Sequence, residues 1–509
     1  MNKYLILIRL SLFIALLAAG CRPAVQTDYR KTLPENSTVL AAVHAGRLIE
    51  KSGETGKQLL ENLRQGAPGN EFEKILGSLL ENRDIYGLDL EKHLYLFASE
   101  TEQIAGGVAA VSDPARLQEG FLRMEREGVA GSLTEKNGTR RILLKNGLLC
   151  VFTEQLLFCV TGKDEQTLQK YADKQLSGKQ REKEVQPGYP EFMADTNDVC
   201  VWFLGNRWPA FTAGMPQQGI DLSKVAILLR LCFEKGKATA TYEYFTADAQ
   251  TKESLAQYSA FLRPVTNRFL TRYPADLLSY QTVNLEGRQL YELLNQWGVW
   301  KGANLKTEEQ QLLQQVLSSL DGDISLGVTG VMPMGIPVVL LYAECPNADA
   351  FEQLKMWGER QFYQVAELSK TGAHQYEMKV FMLNMTVWFG WKNGMAYLTN
   401  SPEWYRNLDK ATAVSLAQSP LTSGWGQPAA GWMLNIAGLM ELPMVQLFVY
   451  QKIPPQNMDE FKQLIAPFSH LDIVSEKSGK TVWNVYLKEK EQNSLPLFLE
   501  LGRLAAGIF

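Results

Sequence analysis

Histidines, cysteines and one Asp-Gly-Asp run are the residues of this chain whose types could carry chemistry, so their spacing comes first. A metal site or a general base on a helix needs partners on one face, as in His-x-x-x-His or Glu-x-x-His. His44, His93, His374 and His470 show neither spacing, and each reads as a surface or strand-edge residue. No Cys-x-x-Cys pair and no cysteine and histidine cluster stands at zinc-ligand spacing, which argues against a structural zinc site. Asp321-Gly322-Asp323 hints at a calcium loop, but Met332 stands where the closing glutamate is needed, so the run reads as a turn before a strand. There is no nucleophile elbow, no dinucleotide fingerprint and no phosphate loop. The expectation is a chain without a cofactor that binds rather than catalyses. A hydrolase with a dispersed site is the third choice, because a carboxylate pair could still assemble across units.

The clearest chemistry lies at the beginning. Lys3 and Arg9 give a positive first region, Leu10 to Leu17 an apolar one, and Leu17-Ala18-Ala19-Gly20-Cys21 a small-residue cleavage site. Arg9 leaves an apolar run too short to span a bilayer, which takes about 20 residues. Residues 1–20 therefore read as a lipoprotein signal peptide and Cys21 as the lipidated first residue. Ala18 holds the position where leucine is usual, and ordinary signal-peptidase cleavage is the alternative. Arg22 to Thr27 lack the acidic cluster of surface-exported Bacteroidota lipoproteins, and residue 22 is not the aspartate that retains enterobacterial ones at the inner membrane. By that resemblance the anchor points to the periplasmic face of an outer membrane, with residues 21–37 as a tether.

Behind the anchor, Cys150, Cys159, Cys200, Cys232 and Cys345 are an odd set, so at least one thiol is free. Residues 148–160 read as a hairpin with Glu154-Gln155 as its loop. That register sets Cys150 opposite Cys159 at a non-hydrogen-bonded position, where side chains approach closely. The pair reads either as a disulfide in an exported protein or as two small buried hydrophobes.

Composition narrows the partners. A formal net charge of −4 gives no basic stripe, which excludes nucleic acid. With 46% hydrophobic and 21% charged residues over 509 positions, the chain is globular and long enough for several units. Nine of the eleven tryptophans lie in the second half. Trp297 and Trp300 are spaced to share a helix face, while Trp388 and Trp391 differ by an odd number along a strand, so a regular strand turns one of them away from the core. These four are the candidate binding surface, with core packing as the alternative reading.

The elements that would position such residues follow from periodicity. Ile104 to Pro114 followed by Leu117, Phe121 and Met124 has the shape of Pro337 to Pro346 followed by Ala350, Leu354 and Trp357, an offset of 233 residues. Leu157 to Gly162 corresponds to Met395 to Asn400 at 238, and the turns at Gly236 and Gly479 correspond at 243. Short turns between alternating strands, with Asn393-Gly394 as a tight hairpin, favour antiparallel pairing. The predicted fold class is therefore α+β, internally duplicated, with antiparallel sheets covered on one side by helices. The predicted halves are residues 38–275 (a larger unit 38–185 and a smaller unit 186–275) and 276–509 (276–415 and 416–509).

Ser37 to Gly53 and Ile85 to Phe97 carry a family resemblance: the chain resembles the large lipoproteins of unknown function found mainly in Bacteroidota. That resemblance implies an envelope lipoprotein and no activity. The expected function is a periplasmic binding or scaffold protein held at the membrane by its lipid anchor, with an envelope protein as partner. A glycan-binding lipoprotein is the alternative.

Overall fold

The computed structural model describes residues 28–34, 36–65, 87–136, 138–177, 186–207, 220–296, 299, 305–332 and 335–508. Its strands are β1 Val39–Val43, β2 Leu94–Ser99, β3 Ile104–Ala110, β4 Thr134–Lys136, β5 Thr139–Leu143, β6 Leu148–Phe152, β7 Leu156–Thr161, β8 Val199–Leu204, β9 Ala226–Glu234, β10 Lys237–Phe245, β11 Leu262–Arg263 and β12 Ser279–Glu286. They continue as β13 Asp321–Val331, β14 Pro337–Glu344, β15 Ala366–Gly372, β16 Gln375–Val380, β17 Met385–Lys392, β18 Met395–Thr399, β19 Ala430–Leu434, β20 Phe468–Ser475 and β21 Thr481–Leu487.

All pairings are antiparallel, and they join the 21 strands into one sheet. From β10 one flank runs β9, β8, β1, β2, β3, β7, β6, β5, β4. From β21 the other runs β20, β19, β12, β13, β14, β18, β17, β16, β15, with β11 beside the end of β12. The flanks meet where β10 pairs with β21, Lys237 opposite Tyr486 through Tyr242 opposite Thr481. Helix Leu495–Ile508 covers this junction: Phe498 packs its ring 5.8 Å from Phe233 of β9 and 5.9 Å from Phe468 beside it.

This continuity overturns the fold class expected from the sequence. There are not separate sheets in two halves but one open sheet, and internal duplication is not shown. The physical reason is the junction itself: β10 and β21, taken as strands of separate small units, satisfy each other's backbone groups instead of meeting solvent.

Burial explains a second departure. In the first flank, β2 and β6 are buried along their whole lengths, the pattern of strands covered on both faces. Leu94, Leu96, Cys150 and Phe152 face helix Pro114–Arg126 and its Leu117, Phe121 and Met124. Tyr95, Phe97, Leu149 and Val151 face the opposite way, against Leu168 and Tyr171 of helix Glu165–Leu176 and Phe192 of helix Tyr189–Met193. Helices therefore lie on both sides there, where one side was expected. Tyr29 and Leu33 belong to the second of these cores, so residues 29–33, within the stretch expected as a tether, pack onto the folded body.

Candidate functional site

Two places gather polar side chains in ways the sequence does not display. The first lies at the ends of β1, β2 and β8. Val43 pairs with Leu94, which carries His44 and His93 just past the paired ends and brings their rings to 5.2 Å. His44 is buried, and burial together with the adjacent Arg47 charge pushes its pKa down to about 4. Burial lowers His93 as well. Beside them Asp198 is fully buried, and Lys51 places its ammonium 2.8 and 2.7 Å from the two carboxylate oxygens. The Phe233 amide donates to the same carboxylate at 2.7 Å. A second group, Asp195 with Arg230 at 2.6 Å and Arg230 with Glu243 at 2.8 Å, ties the segment leading into β8 to β9 and β10.

These groups are neighbours without forming an acid and base pair. His44 Nδ1 accepts from the Arg47 amide at 3.3 Å, and His93 Nε2 faces the Asn197 carbonyl at 3.3 Å, so that nitrogen donates. Neither ring has a hydrogen bond to Asp198, whose charge is met by Lys51. A fully buried carboxylate held by a half-buried cation is a structural clamp, costly to break by removing the cation. It fixes helix Ala45–Gln65 against β8 and β9.

The second place is a cavity of about 500 Å³ in the second flank. One wall is Asn267 and Leu270, and the other is residues 417–426, with Gln418, Ser419, Thr422, Ser423 and Trp425 among its polar and aromatic members. Its shape is set from below by Asp323. That buried carboxylate accepts from Thr266 N at 3.0 Å, Thr266 Oγ1 at 2.7 Å, Arg268 N at 3.2 Å and Asn284 Nδ2 at 2.8 Å. The clamp holds Asn267 at a left-handed φ of 60°, from which its amide donates to Gly426 O at 3.2 Å across the cavity. Opposite, Ser419 caps the short helix Pro420–Thr422 and donates to Ala275 O at 3.0 Å. Trp425 is buried against Gly431, where any Cβ would fall 2.4 Å from the indole. Asn267 Oδ1 is buried with no hydrogen-bond partner. No residue of the lining titrates near neutral pH, so the cavity offers hydroxyls, amides and an indole but no group for proton transfer.

The residues singled out in the sequence fall elsewhere. Cys21, Trp297 and Trp300 lie outside the described residues. Cys150 pairs with Cys159 in register, and their sulfurs sit 3.2 Å apart in the core beneath helix Pro114–Arg126. Trp388 stacks on Tyr405 at 5.3 Å, whereas Trp391 turns to the other face and donates to Cys345 O at 2.6 Å. The odd spacing thus divides them, and they form no common aromatic platform. Asp321 is held by Arg263 and Asp323 by the 266–268 loop. Among the described residues no group of three or more histidine, cysteine or acidic side chains could hold a metal.

Sequence reading missed the histidine pair and the cavity. A signal for the first existed: His44 follows the apolar run Val39–Val43 and His93 precedes Leu94–Ser99, and antiparallel pairing of those runs sets the histidines side by side. The cavity had none, because its walls are loops 150 residues apart.

No helix of the described chain is long and apolar enough to cross a membrane. No curated protein matches the sequence. Among solved structures, crystal form III of TP0453 is similar over 47% of this chain and 89% of its own, at 10% identity and a TM-score of 0.29. Crystal form I covers 43% and 79%, at 11% identity and the same TM-score. Likeness at that level supports no argument about fold or function. A family model does match, over residues 29–495, nearly the whole described chain. The chain belongs to the family defined by a domain of unknown function, DUF4836.

Proposed function

We propose that this chain is a membrane-anchored lipoprotein of the cell envelope, one of the Bacteroidota lipoproteins it resembles, and that it binds rather than catalyses. Cys21 carries the acyl chains and holds the body at the periplasmic face of the outer membrane. The observation that carries the binding reading is the cavity between Asn267 and residues 417–426, roomy enough for a small ligand and lined without a proton-transfer group. Hydroxyls, amides and Trp425 favour a neutral, hydroxyl-rich ligand such as a glycan segment, which is the second reading.

The test uses the mature chain with Cys21→Ala for solubility and a panel of neutral oligosaccharides. Saturable binding that a cavity-filling Ser423→Trp weakens by about tenfold or more supports the reading. Binding untouched by Ser423→Trp moves the site elsewhere, and release of cleaved sugar overturns the non-catalytic assignment.

A further inference from the structure

The outer end of the second flank exposes apolar side chains that no described residue covers. Beyond β16, the turn Phe381-Met382-Leu383-Asn384 presents Phe381, Met382 and Leu383 at 56, 85 and 42% exposure. Beside it, Phe362, Tyr363 and Val365 are exposed to 38, 69 and 42%. A backbone hydrogen bond joins the two segments, Phe381 N donating to Val365 O at 3.0 Å, and Val365 N donates to Phe362 O at 2.9 Å within the first of them. The turn is closed by Asn384 N on Phe381 O at 3.2 Å, with Asn384 at φ 44°. Residues 361–366 and 380–386 contain no charged side chain. Six large apolar or aromatic residues side by side differ from the scattered exposed hydrophobes of an ordinary surface.

We infer that this tip inserts into a lipid surface. Exposure peaks at Met382, the middle of the turn, so the patch is a convex wedge rather than a groove. Two such wedges would bury little against each other, whereas lipid headgroups part around one. Tyr363, with an apolar ring and a hydroxyl that accepts from Gln364 Nε2 at 2.7 Å, is the kind of side chain that settles at the headgroup boundary. The inference rests on the lipid-anchor reading, which supplies the proximity. The described chain begins at Asp28, seven residues beyond Cys21, and a fully extended segment of that length reaches about 25 Å. An acylated terminus therefore keeps the body beside the bilayer, at a high effective concentration of tip relative to lipid.

The experiment uses the full mature chain with Cys21→Ser, so that acyl chains cannot mask the tip. Co-sedimentation with vesicles of phosphatidylethanolamine and phosphatidylglycerol is compared with that of a variant also carrying Phe381→Ser and Met382→Ser. Both side chains are exposed, so the circular dichroism spectrum and melting temperature stay unchanged. The partition coefficient is expected to fall about tenfold or more. No vesicle binding by the parent overturns the inference, and so does equal binding by the variant. A parent that is oligomeric without lipid and becomes monomeric with the serines also overturns it, by assigning the patch to a second copy. Mass spectrometry of Cys21 in the wild-type chain reports separately on the anchor. Acylation with an inert tip defeats only this inference, and an active tip with no acylation defeats only the anchor.

Discussion

Buried histidines give this protein a pH dependence that can be read residue by residue. Burial brings His44 and His470 down to about 4 from an ordinary value of 6.5. Both are therefore neutral in the folded chain and protonate in the unfolded one below pH 6.5. The stability they contribute is complete above pH 6.5 and is lost as pH falls toward 4, at about 1.4 kcal/mol per pH unit for each histidine. His470 stacks on Tyr486 at 4.2 Å and its Nε2 is buried without a partner, so little favours keeping the imidazole there. His470→Leu should reduce the slope of stability against pH by about 1.4 kcal/mol per unit between pH 4 and 6.5, measured by urea unfolding. An unchanged slope would show that His470 protonates freely in the folded state. At this scale the sequence reveals residue types and hides their surroundings: nothing local distinguishes His44 or His470, both buried, from a surface histidine.

Elements were legible where their cause is local. Asn393-Gly394 makes a tight turn between β17 and β18 with both residues at positive φ, and Ser401 caps helix Pro402–Arg406 through its hydroxyl. Leu117, Phe121 and Met124 are buried on one helix face as their spacing implies. The order of strands was not legible, because Thr239 to Tyr244 alternates in the same way whether its free edge meets water or β21. That junction is locked at Gly236, with φ 72°, whose amide donates to Gln492 O at 2.7 Å and whose Cβ would lie 2.9 Å from the Lys490 backbone. Gly394 has a comparable φ of 75° and open space around it. Gly394→Ala should cost about 1 kcal/mol of left-handed strain, and Gly236→Ala at least about 1 kcal/mol more, because backbone must move. Thermal unfolding of the pair checks this, and equal losses would mean the junction yields without cost.

For the whole molecule, a long antiparallel sheet positions three features that no single element contains. Asp323 of β13 holds one wall of the cavity, the β16–β17 turn carries the apolar tip, and the buried segment Tyr29–Thr32 brings the chain's start to the opposite flank. A protein tied to a membrane at one flank and touching it at the other would lie along the bilayer. The first link in that arrangement is the lipid anchor proposed at Cys21. Native mass spectrometry of the protein extracted in mild detergent from its own membrane tests this most directly. The account predicts a mature chain that begins at Cys21 and carries diacylglycerol, converted to a soluble product by Cys21→Ala. A chain that begins elsewhere, or at an unmodified Cys21, would contradict it.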